Sequence, residues 1–169
     1  IWSGPITYSN DYVAAFRKGV ATQGQTIQFP QPGDTFQLDD ALITVLGPVK
    51  KYYEDTNDLS LVLMVEFEDT RFLFTGDMEV AAENDLLENG ADVKADVLKV
   101  GHHGSYSSTS YSFLQAVDPD YALIHVGLNN EYGHPHDGPL NQLHNAQDQT
   151  YRTDKMSTVV AATDGNTIA

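Results

Sequence analysis

Two strand-and-turn units joined by one helix predict an α/β fold, with mixed sheets and flanking helices. Val97, Leu98 and Val100 form a short apolar run stopped at Gly101, and Phe72, Leu73 and Phe74 form another that stops at Gly76. Between them, residues 78–88 read as a helix with Ala82, Leu86 and Leu87 turned inward and Gly90 just past its end. A single helical crossover of this kind delivers two parallel strands whose tips share one edge of the sheet.

The remaining elements follow in order. Ser9-Asn10-Asp11 precedes Tyr12, Val13 and Phe16, the pattern of a short helix ending at Gly19. Gln31-Pro32-Gly33-Asp34 is a turn, and residues 35–38 and 41–46 make a hairpin around Asp39-Asp40, closed by Gly47-Pro48. Residues 50–58 are polar and read as a loop beside the sheet, while 59–67 and 71–75 are strands joined at Glu68-Asp69-Thr70. The hydroxyl-rich run 106–109 suits the cap of a helix reaching Val117, which Asp118-Pro119 ends. Residues 121–126 form an apolar strand, so His125 within it reads as a packed or edge histidine. A polar loop then carries His134 and His136, and Pro139 fits the first turn of a helix with Leu140 and Leu143 on one face. Residues 150–153 and 158–163 are expected to close the sheet as a strand pair, with Asp164-Gly165-Asn166 turning into a last short strand. With neither repeat nor linker, residues 1–169 read as a single domain.

At 169 residues and 41% hydrophobic content the chain is long and apolar enough for a real core. It contains no run of about 18 apolar residues, the length a membrane-spanning helix needs. Cysteine is absent, which excludes disulfides and thiolate ligands. Nine Lys and Arg stand against 24 Asp and Glu, a net charge of −15. Such a surface repels phosphate backbones and argues against a dedicated nucleic-acid-binding module, although metal ions can reverse the field locally. Acidity of this degree fits an exported protein, and an extracytoplasmic location is the expectation.

Chemistry is expected at the strand tips, where α/β sheets place their ligands. His102 and His103 follow one strand, and an imidazole there is a good ligand for zinc, manganese or iron or a proton carrier near neutral pH. The plain alternative is that the pair only hydrogen-bonds a loop. Asp77 follows the other strand, and its plain alternative is strong, because aspartate is a preferred helix N-cap.

The runs Asn57-Asp58-Leu59-Ser60, Phe72-Leu73-Phe74-Thr75-Gly76-Asp77, Leu98-Lys99-Val100-Gly101-His102-His103-Gly104-Ser105 and Tyr132-Gly133-His134-Pro135 together resemble the metallo-β-lactamase superfamily, and within it the hydrolase-like domain of ComEC-type competence proteins and their free-standing relatives. The resemblance runs from about Asp34 to the C-terminus. It implies the C-terminal part of an αββα sandwich and a metal-dependent hydrolase acting on phosphoesters or nucleic acid, or else a non-catalytic binding domain that has lost its metals. It also implies a divalent cofactor, two Zn or Mn ions. Asp77 matches the bridging carboxylate, His103 a metal ligand, and His102 and His134 residues that meet substrate. A metal held there would activate water and polarise a phosphoryl or acyl oxygen.

Three departures qualify the match. The family's principal motif, His-x-His-x-Asp-His, does not occur in these residues; it is expected N-terminal to Ile1, which makes the domain incomplete at that end. Asn57 stands where many members of the superfamily carry a metal-binding His, and Ser157 replaces a glycine usual near the end of the fold. The expected partners are accordingly a phosphoester substrate and either the missing N-terminal half of the fold or a second copy. The chain by itself is expected to bind metal weakly or not at all, since zinc sites usually draw three or four protein ligands.

Overall fold

The computed structural model of the chain describes residues 1–6, 8–146 and 148–169. Its centre is one seven-stranded sheet in the order β1-β2-β3-β4-β5-β6-β7. The strands are β1 Thr35–Leu38, β2 Ala41–Gly47, β3 Val62–Phe67, β4 Thr70–Phe74, β5 Val97–Lys99, β6 Tyr121–Ile124 and β7 Gln149–Arg152. The first four pair antiparallel, β1 with β2 and β3 with β4 through short turns and β2 with β3 through the longer segment 48–61. From β4 onward every pairing is parallel, because helices α2 Val80–Glu88, α3 Tyr111–Val117 and α4 Asp137–Asn145 provide the crossovers.

Strand alternation explains where the core sits. Met64, Leu73, Leu98 and Ala122 lie side by side across the sheet in register, and all are buried. They form one cluster with Ala82 and Leu86 of α2, Phe113, Leu114 and Val117 of α3, and Leu143 of α4. The opposite face carries Leu63, Phe74, Lys99, Leu123 and Tyr151 in the neighbouring register. Only part of this face is covered: Val160 and Ile168 share a small cavity with Tyr121, Leu123 and Tyr151, while Phe74 is 44% exposed.

Several elements differ from the sequence expectation for local reasons. Helix α1, Asp11–Thr22, runs through Gly19. Asn10 caps it by accepting the Val13 N–H, Val20 is buried further along, and the chain first turns left-handed at Gly24. Helix α3 starts at Tyr111, after the hydroxyl-rich run, because Ser110 is its cap. The N–H groups of Thr109 and Ser110 instead donate to the buried Glu83 carboxylate of α2. The closing strand pair does not form. Strand β7 pairs parallel with β6, and the Thr153 hydroxyl then bonds both the N–H and the C=O of Val126, 2.8 Å each, as the chain enters the short helix α5, Thr153–Met156. Near the C-terminus Thr163 meets Ile168 in an isolated antiparallel bridge.

Two features of this closing region predict stability changes. Ser157 holds φ 62° and ψ −119°, a conformation natural to glycine that costs other residues about 1–3 kcal/mol. Ser157→Gly is expected to stabilise the fold by about 1 kcal/mol, read as a higher urea midpoint at unchanged slope.

Asp148 precedes β7, and its Oδ2 is buried without a hydrogen-bond partner among the described residues. Burial, reinforced by the charges of Asp118 and Asp120, pushes its carboxyl up to about 6. The folded pKa exceeds the unfolded one, so the native state holds this proton more tightly. The resulting stability is full below about pH 4 and is lost as pH rises through about 6. Asp148→Asn is expected to remove that loss and to leave the variant about 1–2 kcal/mol more stable than the parent at about pH 7.5, a value reduced for the side chain's partial exposure. Urea midpoints between about pH 4 and pH 8 check this; parallel curves for the two proteins would refute it.

Candidate metal-dependent active site

Strands β4 and β5 are parallel neighbours, so the turns that follow them lie side by side. After β4 the chain reverses at Gly76, φ 58°, where a Cβ would stand 2.8 Å from that of Ser60. The Ser60 hydroxyl accepts the Asp77 N–H at 3.1 Å. The Gly76 carbonyl accepts both the His102 N–H, 3.2 Å, and the half-buried Lys99 ammonium, 2.7 Å. Desolvation draws Lys99 below the ordinary lysine range, against the attraction of Asp77.

Asp77 does not cap α2. That work falls to Asp58, which is buried in the segment expected to be a loop; its Oδ1 accepts the N–H groups of Glu79, 2.9 Å, and Ala82, 3.2 Å. The short 3-10 turn Thr56–Leu59 that carries Asp58 is the local reason it reaches the helix end. The Asp77 carboxylate is thereby left facing His103 Nε2, with Oδ1 at 3.3 Å.

The turn after β5 is unusual in its backbone. His102 (φ 44°, ψ 43°) and His103 (φ 55°, ψ 22°) are both left-handed, and Gly104 follows at φ 80°. Histidine adopts this region more readily than most residues, but two in succession carry a strain of about 1–2 kcal/mol each. The strain splays the imidazoles. His103 Nδ1 lies 2.6 Å from the His125 carbonyl, an acceptor only, so Nδ1 carries the hydrogen and Nε2 points at Asp77. His102 turns the other way, its Nδ1 2.9 Å from Glu79 Oε1.

The loop after β6 closes the site from the third side. Gly104 sits against Pro135, its own missing Cβ position 2.6 Å from the proline Cβ, and its carbonyl accepts the His136 N–H at 2.9 Å. Asn130 holds His134 from both sides, accepting its N–H at 3.0 Å and donating to its C=O at 2.7 Å. The His134 ring lies 5.5 Å from that of His102, 6.5 Å from that of His103 and 4.8 Å from that of His136. Burial and the neighbouring imidazoles hold His134 below the ordinary imidazole range, which leaves it neutral at pH 7.

Asp77, His102, His103 and His134, the four residues singled out from sequence, therefore occupy one site. Others belong to it that the sequence did not single out. Glu79 and His136 were each within two residues of a chosen one, but spacing alone gave them no role. His125, expected to be a packed or edge histidine, is exposed at the end of β6, and its carbonyl orients His103. Tyr132, 72% exposed, stacks on His134.

The donor set suits a cation. A carboxylate oxygen and an imidazole nitrogen facing each other at 3.3 Å repel unless a proton or a metal ion lies between them. Asp77 and His103 fit two positions of a divalent metal site, with the His125 carbonyl supplying the outer bond that ligand histidines usually make. Among the described residues, no three His, Asp or Glu side chains form a group able to hold a metal ion.

A sequence profile of the Metallo-beta-lactamase superfamily matches residues 3–127, and the chain belongs to that superfamily. Within it, the chain is similar to competence proteins. It is 38% identical to ComE operon protein 3 of Bacillus subtilis (strain 168) over 81% of its own length and 18% of that protein's. It is 35% identical to competence protein ComA of Neisseria gonorrhoeae, over 70% of this chain and 17% of that one. The chain thus spans under a fifth of the length of these relatives. Among solved structures, a variant of the CmlA beta-hydroxylase superposes with a TM-score of 0.51 at 12% identity, covering 76% of this chain and 32% of that one, a likeness of fold alone. No helix among the described residues is long and apolar enough to cross a membrane.

Proposed function

We propose that this chain forms one side of the active site of a metal-dependent phosphoesterase, with nucleic acid among its substrates. The observation that carries the reading is the 3.3 Å approach of Asp77 Oδ1 to His103 Nε2, with the imidazoles of His102 and His134 beside it. Asp77 and His103 would hold the metal, zinc or manganese. When bound, that metal supplies a Lewis acid for a phosphoryl oxygen and acidifies water. His102 and His134 face the same space and are the groups placed to hydrogen-bond a substrate oxygen or to carry a proton. The similarity to competence proteins supports a polymeric phosphodiester as substrate. The net charge of −15 makes attraction of that substrate depend on the metal and the histidines and not on the general surface.

The remaining metal ligands would come from a segment bearing His-x-His-x-Asp-His outside residues 1–169. The test is hydrolysis of bis-p-nitrophenyl phosphate and of single-stranded DNA by the full-length protein carrying this chain, loaded with zinc or manganese. Turnover that chelator abolishes and metal restores is the expected result. Intact substrates under both metals would favour a binding domain without catalysis.

A further inference from the structure

We infer that Glu79 is a positioning residue that locks His102 in the Nδ1–H tautomer and so presents its Nε2 to the substrate side of the site. The inference deepens the phosphoesterase reading and rests on it for the role of His102.

The geometry is built from three elements. Glu79 stands at the N-cap of α2 with its backbone N–H bonded to Asp58, and its carboxylate makes no capping bond to the helix. The carboxylate turns toward the loop after β5, where Oε1 lies 2.9 Å from His102 Nδ1. The Ser107 hydroxyl donates to the same Oε1 at 2.9 Å, and the backbone fixes that loop as well, the Val80 N–H donating to the Ser107 carbonyl at 3.0 Å. Ser107 Oγ also lies 3.5 Å from His102 Nδ1. Its hydrogen is already committed to Glu79, so Nδ1 faces two acceptors and must carry its own proton. Both partners are shielded, the His102 side chain 22% exposed and that of Glu79 18%, so water competes weakly for the bond.

The consequence lies on the other side of the ring. With Nδ1 held by Glu79, Nε2 is the nitrogen left for chemistry, on a ring that meets His134 edge-on at 5.5 Å. A carboxylate behind an imidazole sets the tautomer and stabilises any positive charge the ring gains during a proton transfer. Glu79 would act in this way on the substrate side, as the His125 carbonyl acts on His103 at the metal side. The neighbouring histidines of one short turn thus receive opposite orientations and separate tasks, each fixed by a different acceptor.

Two-bond proton–nitrogen correlation spectra of the 15N-labelled chain test this, recorded with chelator at about pH 8, where an ordinary imidazole is neutral. His102→Ala identifies the His102 signals. The expected result is an Nδ1–H pattern for His102 in the parent chain and its shift toward the Nε2–H pattern in Glu79→Ala. An Nε2–H pattern in the parent overturns the inference without any variant, so a Glu79→Ala chain that fails to fold does not shield it. An unchanged pattern in a folded Glu79→Ala chain overturns it too. The readout needs neither metal nor turnover, so its failure leaves the phosphoesterase reading standing, and loss of that reading leaves the tautomer assignment intact.

Discussion

Asp77→Ala is expected to lower metal-dependent phosphodiester hydrolysis by the full-length protein by about 1,000-fold or more, the rate equivalent of several kcal/mol of lost electrostatic stabilisation. The expectation follows from position. Asp77 is free of the capping duty that would otherwise explain an aspartate there, since Asp58 bonds the N–H groups of the N-cap Glu79 and of Ala82 in the first turn of α2. Its backbone is held separately through Ser60, so the side chain can be removed without releasing the turn. The fold should therefore survive, and circular dichroism and the urea midpoint of the variant should stay close to those of the parent. Metal content measured alongside activity separates a lost ligand from a lost substrate contact. A variant with full activity and full metal content would remove Asp77 from the site. Asp58→Ala is the instructive contrast, because it leaves the N–H groups of Glu79 and Ala82 at the start of α2 without their acceptor and acts through the fold.

Gly104→Ala is expected to cost about 2–5 kcal/mol of stability, a large share of the 5–15 kcal/mol typical of a domain. One part is conformational: φ is +80° at this position, which costs an L-residue about 1–2 kcal/mol. The other is steric, since the added methyl would stand 2.6 Å from Pro135 Cβ, and forced overpacking costs about 1–3 kcal/mol. The effect on the site should be larger than on the core. Gly104 is where the histidine turn touches the loop bearing His134, and its carbonyl bonds the His136 N–H. The variant is expected to unfold at lower urea and to show displaced His134 and His136 resonances while still native. A midpoint equal to that of the parent would mean that the loop yields easily, and that the positions of these imidazoles do not depend on close packing.

The sequence by itself determined the order of strands and helices as far as β7 and the placing of Asp77 and the two histidines at neighbouring strand ends. Apolar runs of strand length stopping at Gly76 and Gly101, with one helical segment between them, leave little freedom: parallel strands joined by a crossover must end at the same edge. Core positions on the helices were legible for the same reason, since the helical spacing of Ala82 and Leu86 in α2 is a local property. The near-continuous apolar runs of β3 and β6 did not show which of their faces is buried. What is not local was not legible. His125 lies within a strand-like run, and only its place at the open end of β6 makes it exposed and its carbonyl an anchor for His103. Asp58 lies in a polar stretch, and only folding shows that it caps a helix more than twenty residues away. The strand expected at 158–163 does not form beside β7, which pairs with β6 instead and runs directly into the short helix α5, so the chain never reverses against it. The division of labour between His102 and His103 was likewise beyond the sequence. Two adjacent, chemically identical side chains differ only in what each Nδ1 meets, Glu79 for one and a backbone carbonyl for the other. Those acceptors come from separate parts of the chain, so tertiary structure alone brings them to the two rings.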